Sequence, residues 1–134
     1  MFSTKLIVWN PVDPSRAEEI EVWVNTGASY SWIARPRLEA LGIRPTRRMA
    51  FRTIETRSIE QELAAVLVKV DGYTGGDTLV LAEPGDAEVL GAHTLESLGL
   101  TVDPVNKELV PTVGLALLGS VAGTCRRGSQ VLPT

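Results

Sequence analysis

Residues Ile20 to Arg35 read IEVWVNTGASYSWIAR, and the chemistry they can support turns on Asn25-Thr26-Gly27-Ala28-Ser29. Val22-Trp23-Val24 alternates as a strand does, and small residues and hydroxyls then turn the chain sharply. Such residues at the end of a buried strand commonly surround a reactive side chain. Here the side chain in that place is the Asn25 carboxamide, which donates and accepts hydrogen bonds but is neither acid nor base. Taken alone, the same five residues also suit an ordinary turn, because Asn, Thr, Gly and Ser are common turn formers.

The other reactive residue types form no second constellation. Cys125 is the only cysteine, so no internal disulfide forms and no zinc site can be built from it alone; no histidine lies near it in sequence to make it a nucleophile. His93 opens a short helical stretch and reads as a surface or near-cap residue, not as a base or metal ligand. Gly75-Gly76 lacks the Lys-Ser/Thr of a phosphate loop and reads as a hairpin turn. Asp71, Asp77, Asp86 and Asp103 sit beside Gly, Pro or Ala and read as turn formers. Arg47-Arg48 and Arg126-Arg127 read as solvated charge.

The whole chain frames that loop. It has 134 residues, enough for one domain with a real core, with 44 % hydrophobic and 22 % charged residues and a net charge of -3. This composition gives no electrostatic case for nucleic acid or an anionic membrane surface. Leu6 to Trp9 is too short for a signal-peptide core, and Val113 to Gly123 is far shorter than the ~20 residues that span a bilayer. A cytoplasmic protein is the expectation.

Several elements must position the loop. Thr4–Asn10 and Glu19–Asn25 read as strands joined through the turn PVDPSRA. Tyr30–Ile33 is a short extended piece, and Arg35–Gly42 a brief helix with Pro36 in its first turn and Gly42 as its stop. Arg47–Ile54 and Ser58–Val70 read as a long hairpin with its tip near Glu55–Arg57, and Asp71-Gly72 is the next turn. Strands at Thr78–Ala82 and Ala87–Gly91, a second helix at His93–Gly99, and strands at Leu100–Val102 and Glu108–Pro111 follow. An internal repeat also shows: LEALGI (Leu38 to Ile43) and LESLGL (Leu95 to Leu100) differ in type only at Ala/Ser. Each ends a short helix that follows a strand and a turn, so the pair predicts a duplicated half-domain with pseudo-twofold symmetry.

With these residues in view, VNTGAS resembles the active-site loop of the retroviral-type (retropepsin-like) aspartic proteases, in which two apolar residues precede Asp-Thr-Gly-Ala/Ser. VLGAHTLESLGL resembles the second signature of that family, and VDPVNKELVP the end of its bacterial single-lobed relatives. The matched elements run in order from about Lys5 to Pro111. The resemblance implies an all-β, closed barrel-like acid-protease lobe with one or two short helices over 1–111. A tail follows over 112–134, partly apolar and then loosely ordered, in which Val113 to Leu118 could add a strand at a dimer interface.

The activity implied is hydrolysis of peptide bonds by a water held between two carboxyl groups sharing one proton. One loop per chain supplies one such group, so the implied assembly is a C2 homodimer. It acts on a peptide or protein substrate, with no cofactor, metal, nucleic acid or membrane partner. By the same resemblance Asn25 stands at the position of the catalytic Asp, Thr26 reaches the partner loop, and Gly27 lets backbone approach substrate. Ala28 and Ser29 join the substrate site, and Val89, Leu90 and Gly91 brace the loop. Ile54, Glu55, Thr56 and Arg57 form the flap tip. Apart from the resemblance, Trp9, Trp23 and Trp32 read as core or rim packing, with a pocket beside the loop as the alternative place for Trp32.

Two departures stand out. Asn25 keeps the shape of Asp but cannot hold the shared proton or deprotonate water, so this chain is expected to be inactive. The otherwise intact loop favours an Asp changed to silence a working protease over a natural pseudo-enzyme; a non-catalytic peptide-binding dimer is the alternative. The flap tip IETRS also lacks the Gly usual in relatives.

Overall fold

The computed structural model describes residues 1–119; Cys125, Arg126, Arg127 and most of the tail lie outside them. The strands are β1 (Ser3–Asn10), β2 (Asp13–Val24), β3 (Ser31–Ala34), β4 (Arg47–Arg52), β5 (Ser58–Val70), β6 (Tyr73–Ala82), β7 (Val89–Leu90), β8 (Leu100–Asp103) and β9 (Glu108–Pro111). Two short helices, α1 (Arg35–Ala40) and α2 (Ala92–Leu98), follow β3 and β7. The fold is mostly β, as the sequence implies.

Seven strands form one sheet in the order β1-β2-β7-β3-β6-β5-β4, and β1 also pairs with β5. That additional pairing returns the sheet on itself, so six of its strands form a ring of neighbours. Period-two burial follows: Leu6 and Val8 of β1, Ile20, Val22 and Val24 of β2, and Val66, Val68 and Val70 of β5 all point into one core. Asn10, at the end of β1, is buried but satisfied. Its Nδ2 donates to the Leu41 carbonyl at 2.9 Å and its Oδ1 accepts from the Val12 N–H at 2.9 Å.

The predicted duplication is visible in the pairings. Exchanging β1 with β5, β2 with β6 and β3 with β7 turns the antiparallel pair β1–β2 into β5–β6. It also turns the parallel pair β2–β7 into β6–β3, while β1–β5 and β3–β7 map onto themselves. The two helices obey the same exchange. Leu38, Leu41 and Ile43 are buried around α1 as Leu95, Leu98 and Leu100 are around α2. Gly42 (φ 77°) and Gly99 (φ 69°) both take the left-handed conformation that ends a helix without a Cβ penalty. A hairpin follows each helix, β4–β5 after α1 and β8–β9 after α2.

Three local readings need correction. The first turn is confined to Pro11-Val12, and β2 begins at Asp13, with a register irregularity at Trp9/Asn10 absorbing the prolines. Gly75 and Gly76 are inside β6, not a turn. The turn is Asp71-Gly72, both at positive φ as a tight hairpin requires. A Cβ on Gly75 would come 3.1 Å from Leu98, so this glycine lets α2 lie close on β6. Asp77 is also inside β6 and buried, not a turn former.

Candidate active site

The loop after β2 is held from behind. Val24 donates its N–H to the Phe2 carbonyl at 2.7 Å, and Asn25 donates its own to the Leu90 carbonyl at 2.9 Å, extending the parallel β2–β7 ladder by one residue. The chain then turns: the Ala28 N–H reaches the Asn25 carbonyl at 3.1 Å, and the Gly27 N–H donates to Asn25 Oδ1 at 2.9 Å. That bond orients the carboxamide, with its oxygen toward the turn. A carboxylate would accept the same N–H, so an Asp fits this position without rebuilding the loop.

The second half clamps the first. Ala92 and His93 donate their N–H groups to the carbonyls of Ala28 (2.9 Å) and Ser29 (2.8 Å). Any Cβ on Gly91 would collide with the carbonyls of Tyr30 and Ala28, so only glycine permits this crossing. The bracing role read for Val89, Leu90 and Gly91 thus has a definite geometry: two strand residues pair with β2 and β3, and a glycine makes room for the loop.

In front of the loop lies an open groove of about 340 Å³. Its walls are Asn25, Gly27, Ala28 and Ser29 from the loop, and Phe51, Arg52, Thr53 and Ile59 from the β4–β5 hairpin. Trp32 and the segment Asp86, Ala87 and Val89 complete them. Trp32 and Phe51 meet edge to face at 5.5 Å, and Tyr30 packs on the other side of Phe51 at 6.0 Å. Trp32 lines the pocket, as read from sequence, whereas Trp23 is 55 % exposed and Trp9 half-buried, so neither is a core residue.

The structure does not bring every named residue to this groove. Thr26 is exposed and faces away, toward two further cavities of about 420 and 280 Å³ that it shares with Val102 and Pro104. Ile54, Glu55, Thr56 and Arg57 form the hairpin tip and are not among the walls of this groove; Ile54 is 95 % exposed. The tip closes through Thr53, whose carbonyl accepts from the Thr56 N–H (2.9 Å) and whose N–H donates to the Arg57 carbonyl (2.8 Å). The glycine missing from this tip has a substitute, because Thr56 itself takes φ 64°.

Phe51, Arg52, Thr53, Ile59, Asp86 and Ala87 escape the sequence reading. Period-two alternation in the hairpin could have found the inward-facing Phe51 and Ile59, but nothing local marks which turn borders the groove. His93 also needs correction. It is partly exposed, yet its Nδ1 lies 2.8 Å from the buried Asp77 carboxylate and its ring stacks on Tyr30 at 4.8 Å. Among the described residues no cluster of His, Cys, Asp and Glu could hold a metal ion, and no helix is long and apolar enough to cross a membrane.

No family model and no curated protein matches the chain. Among solved structures it is similar to the solution structure of the simian foamy virus (mac) protease, with a TM-score of 0.50 and 17 % identity. The similarity covers 71 % of this chain and 92 % of that one. The likeness, together with the ring of strands and the two helix-and-hairpin halves, gives the chain its fold: a mostly β, retropepsin-like lobe.

Proposed function

We propose that this chain is one lobe of a homodimeric aspartic-type endopeptidase, of the bacterial single-lobed type, in which residue 25 is the water-activating position. The observation that carries the reading is Asn25 itself. Its side chain is fixed by the Gly27 N–H on the floor of a groove that the β4–β5 hairpin walls. In the active form an Asp stands at this position in each lobe, and the two carboxyl groups share a proton across the twofold axis. One takes a proton from water as the other gives one to the scissile carbonyl oxygen. Gly27, Ala28 and Ser29 would run along the bound peptide, and Thr26, pointing away from the groove, would meet the partner loop. Ile54, Glu55, Thr56 and Arg57 would form the tip of a flap that closes over the peptide and excludes water.

The exposed surface around Thr26 supports the dimer. Met1, Phe2, Val102 and Pro104 line the cavities there and leave apolar surface for a second copy to cover. On this reading residues 1–111 are the catalytic lobe, 112–134 a tail whose segment Val113 to Leu118 adds to the interface, and the compartment is the cytoplasm. Asn25 replaces an Asp and silences the site. Removing one acid–base group typically costs ~10²–10⁴-fold, and the dimer loses both.

Asn25 also favours a second reading, a dimer that binds peptides without cutting them. Exposing this chain and its Asn25→Asp form to a diverse peptide library, read by mass spectrometry at mildly acid to neutral pH, separates the two. Cleavage by the Asp form alone is the expected outcome. If both forms are dimeric and neither cuts, the peptide-binding reading replaces the protease.

A further inference from the structure

Asp77 is a carboxylate in the middle of β6 whose side chain is wholly buried, and the hydrolytic chemistry above makes no use of it. Such a group persists only with donors on its oxygens, and it has two. The Thr94 hydroxyl donates to Oδ2 at 2.5 Å, and His93 Nδ1 lies 2.8 Å from Oδ1.

An ionised carboxylate accepts and never donates, so every proton in the neighbourhood acquires a direction. The Thr94 proton points at Asp77. The 2.5 Å contact between Thr94 Oγ1 and Ser31 Oγ must therefore be donated by Ser31. Ser31 Oγ in turn accepts the Gly91 N–H at 2.9 Å. Ser31 and Thr94 are both fully buried, so water does not compete for these bonds. The chain of donors runs Gly91 N–H, Ser31 O–H, Thr94 O–H, Asp77, and a second donor, His93 Nδ1–H, arrives from the other side.

Both ends of this network touch the site. Gly91 is the crossing point against the carbonyls of Ala28 and Tyr30, next to the Leu90 carbonyl that holds the Asn25 N–H. His93 stacks on Tyr30, which packs on Phe51 in the wall of the groove. We infer that Asp77 is a positioning residue: through Thr94 and Ser31 it fixes the crossing beneath the Asn25 loop, and through His93 it fixes the aromatic wall of the groove. The consequence for cleavage rests on the protease reading, whereas the orientation of the network does not.

His93 is the only histidine in the chain, so its ring nitrogens can be read without ambiguity. In the ¹⁵N-labelled chain, about two pH units above the ordinary imidazole value of ~6.5, Nδ1 should carry a proton; a bare Nδ1 overturns the inference. Thr94→Val removes the hydroxyl and keeps the volume, and Thr94→Ser restores the hydroxyl. The Gly91 amide should exchange faster and shift its resonance in the Val variant and return toward the parent in the Ser variant. Unchanged Gly91 behaviour in the Val variant also overturns the inference. In the Asn25→Asp background, Thr94→Val should lower kcat by about ten- to a hundredfold through misplacement of the loop. KM should change little, and Thr94→Ser should rescue. If the Asp form cuts nothing, the protease reading fails while the two NMR outcomes still decide the network. If it cuts and Thr94→Val leaves kcat untouched, the positioning role falls.

Discussion

Asn25 and Thr56 are two places where the side chain present is not the one that local chemistry or geometry alone would favour. Asn25 accepts the Gly27 N–H as a carboxylate would, but an amide cannot transfer a proton. Thr56 holds φ 64° at the hairpin tip, a conformation that costs a residue with a Cβ ~1–2 kcal/mol and suits glycine. Part of the gain from replacing it is offset by glycine's greater freedom in the unfolded chain, ~0.4–1 kcal/mol. Thr56→Gly should therefore raise stability by up to ~1 kcal/mol, seen as a higher urea midpoint at unchanged slope. A lower midpoint would mean that the Thr56 side chain, whose hydroxyl reaches the Glu55 carbonyl, holds the tip more firmly than its backbone strains it.

At the scale of elements, the groove depends on charged ties between segments far apart in sequence. Arg35, at the start of α1, donates to Glu83 through Nε (3.0 Å) and Nη2 (2.6 Å), and Nη2 also reaches Glu62 at 2.7 Å. One guanidinium thus joins the turn after β6, which borders the groove, to β5, the second strand of the hairpin that walls it. Arg48 extends the tie from β4 to Glu60. The hydrogen bond from Arg35 holds the Glu83 carboxyl below its usual range. A depressed carboxyl stabilises the fold above its unfolded value, ~4.3, and loses that contribution as pH falls through the folded value. The stability difference between the parent and Arg35→Met should therefore be level from pH ~7 to ~5.5 and shrink as the medium becomes more acid. Glu83 is 44 % exposed, so solvent screening keeps the difference below ~1 kcal/mol. Equal differences at pH ~7 and at pH ~3 would show that Arg35 acts through packing and not through charge. Asp103, also held low by Asn106, titrates in the same direction in both proteins and cancels.

What was legible in the sequence follows the range of the forces involved. The strand Ser58–Val70, both helix stops and the tip at Glu55–Arg57 are written in local alternation and turn chemistry, and the structure has them there. The NTGAS turn was readable from its turn-forming residues, and its bracing by the second half only from the resemblance to a known family. Gly75 and Asp77 were not readable as more than turn residues, because each is set by a partner distant in sequence: Leu98 over Gly75, and Thr94 and His93 on Asp77. Asp86 is the turn former it reads as, bonded to Glu83 three residues before it. A buried Asp in a strand looks like a turn former until its donors are known.

At the scale of the whole molecule, the internal pseudo-twofold gives each half a loop, a helix and a hairpin, and the NTGAS loop occurs only in the first half. The turn from Glu83 to Glu88 stands in the equivalent place, and its Asp86 bonds the Glu83 N–H at 2.8 Å. In the proposed homodimer the second site would come from a second copy. The surface proposed for that copy continues into the tail: Val113, Leu115 and Leu117 are each at least 90 % exposed and alternate as one face of a strand would. The β8–β9 hairpin beside them pairs with no other strand among the described residues. Burying three such side chains yields ~1.5–3 kcal/mol each, against an association cost of ~4–15 kcal/mol, so the tail assists a dimer that Val102, Pro104 and Phe2 must also hold. Deleting everything after Pro111 should then weaken the dimer by at least ~100-fold in Kd, about 2.7 kcal/mol, without unfolding the lobe. Sedimentation over a range of concentrations measures this directly. In the Asn25→Asp background the truncated chain should lose activity at low concentration and regain it at high concentration, because each active site needs both copies. A truncated chain that dimerises as tightly as the parent would remove Val113 to Leu118 from the interface and leave the β8–β9 surface to hold the two lobes together.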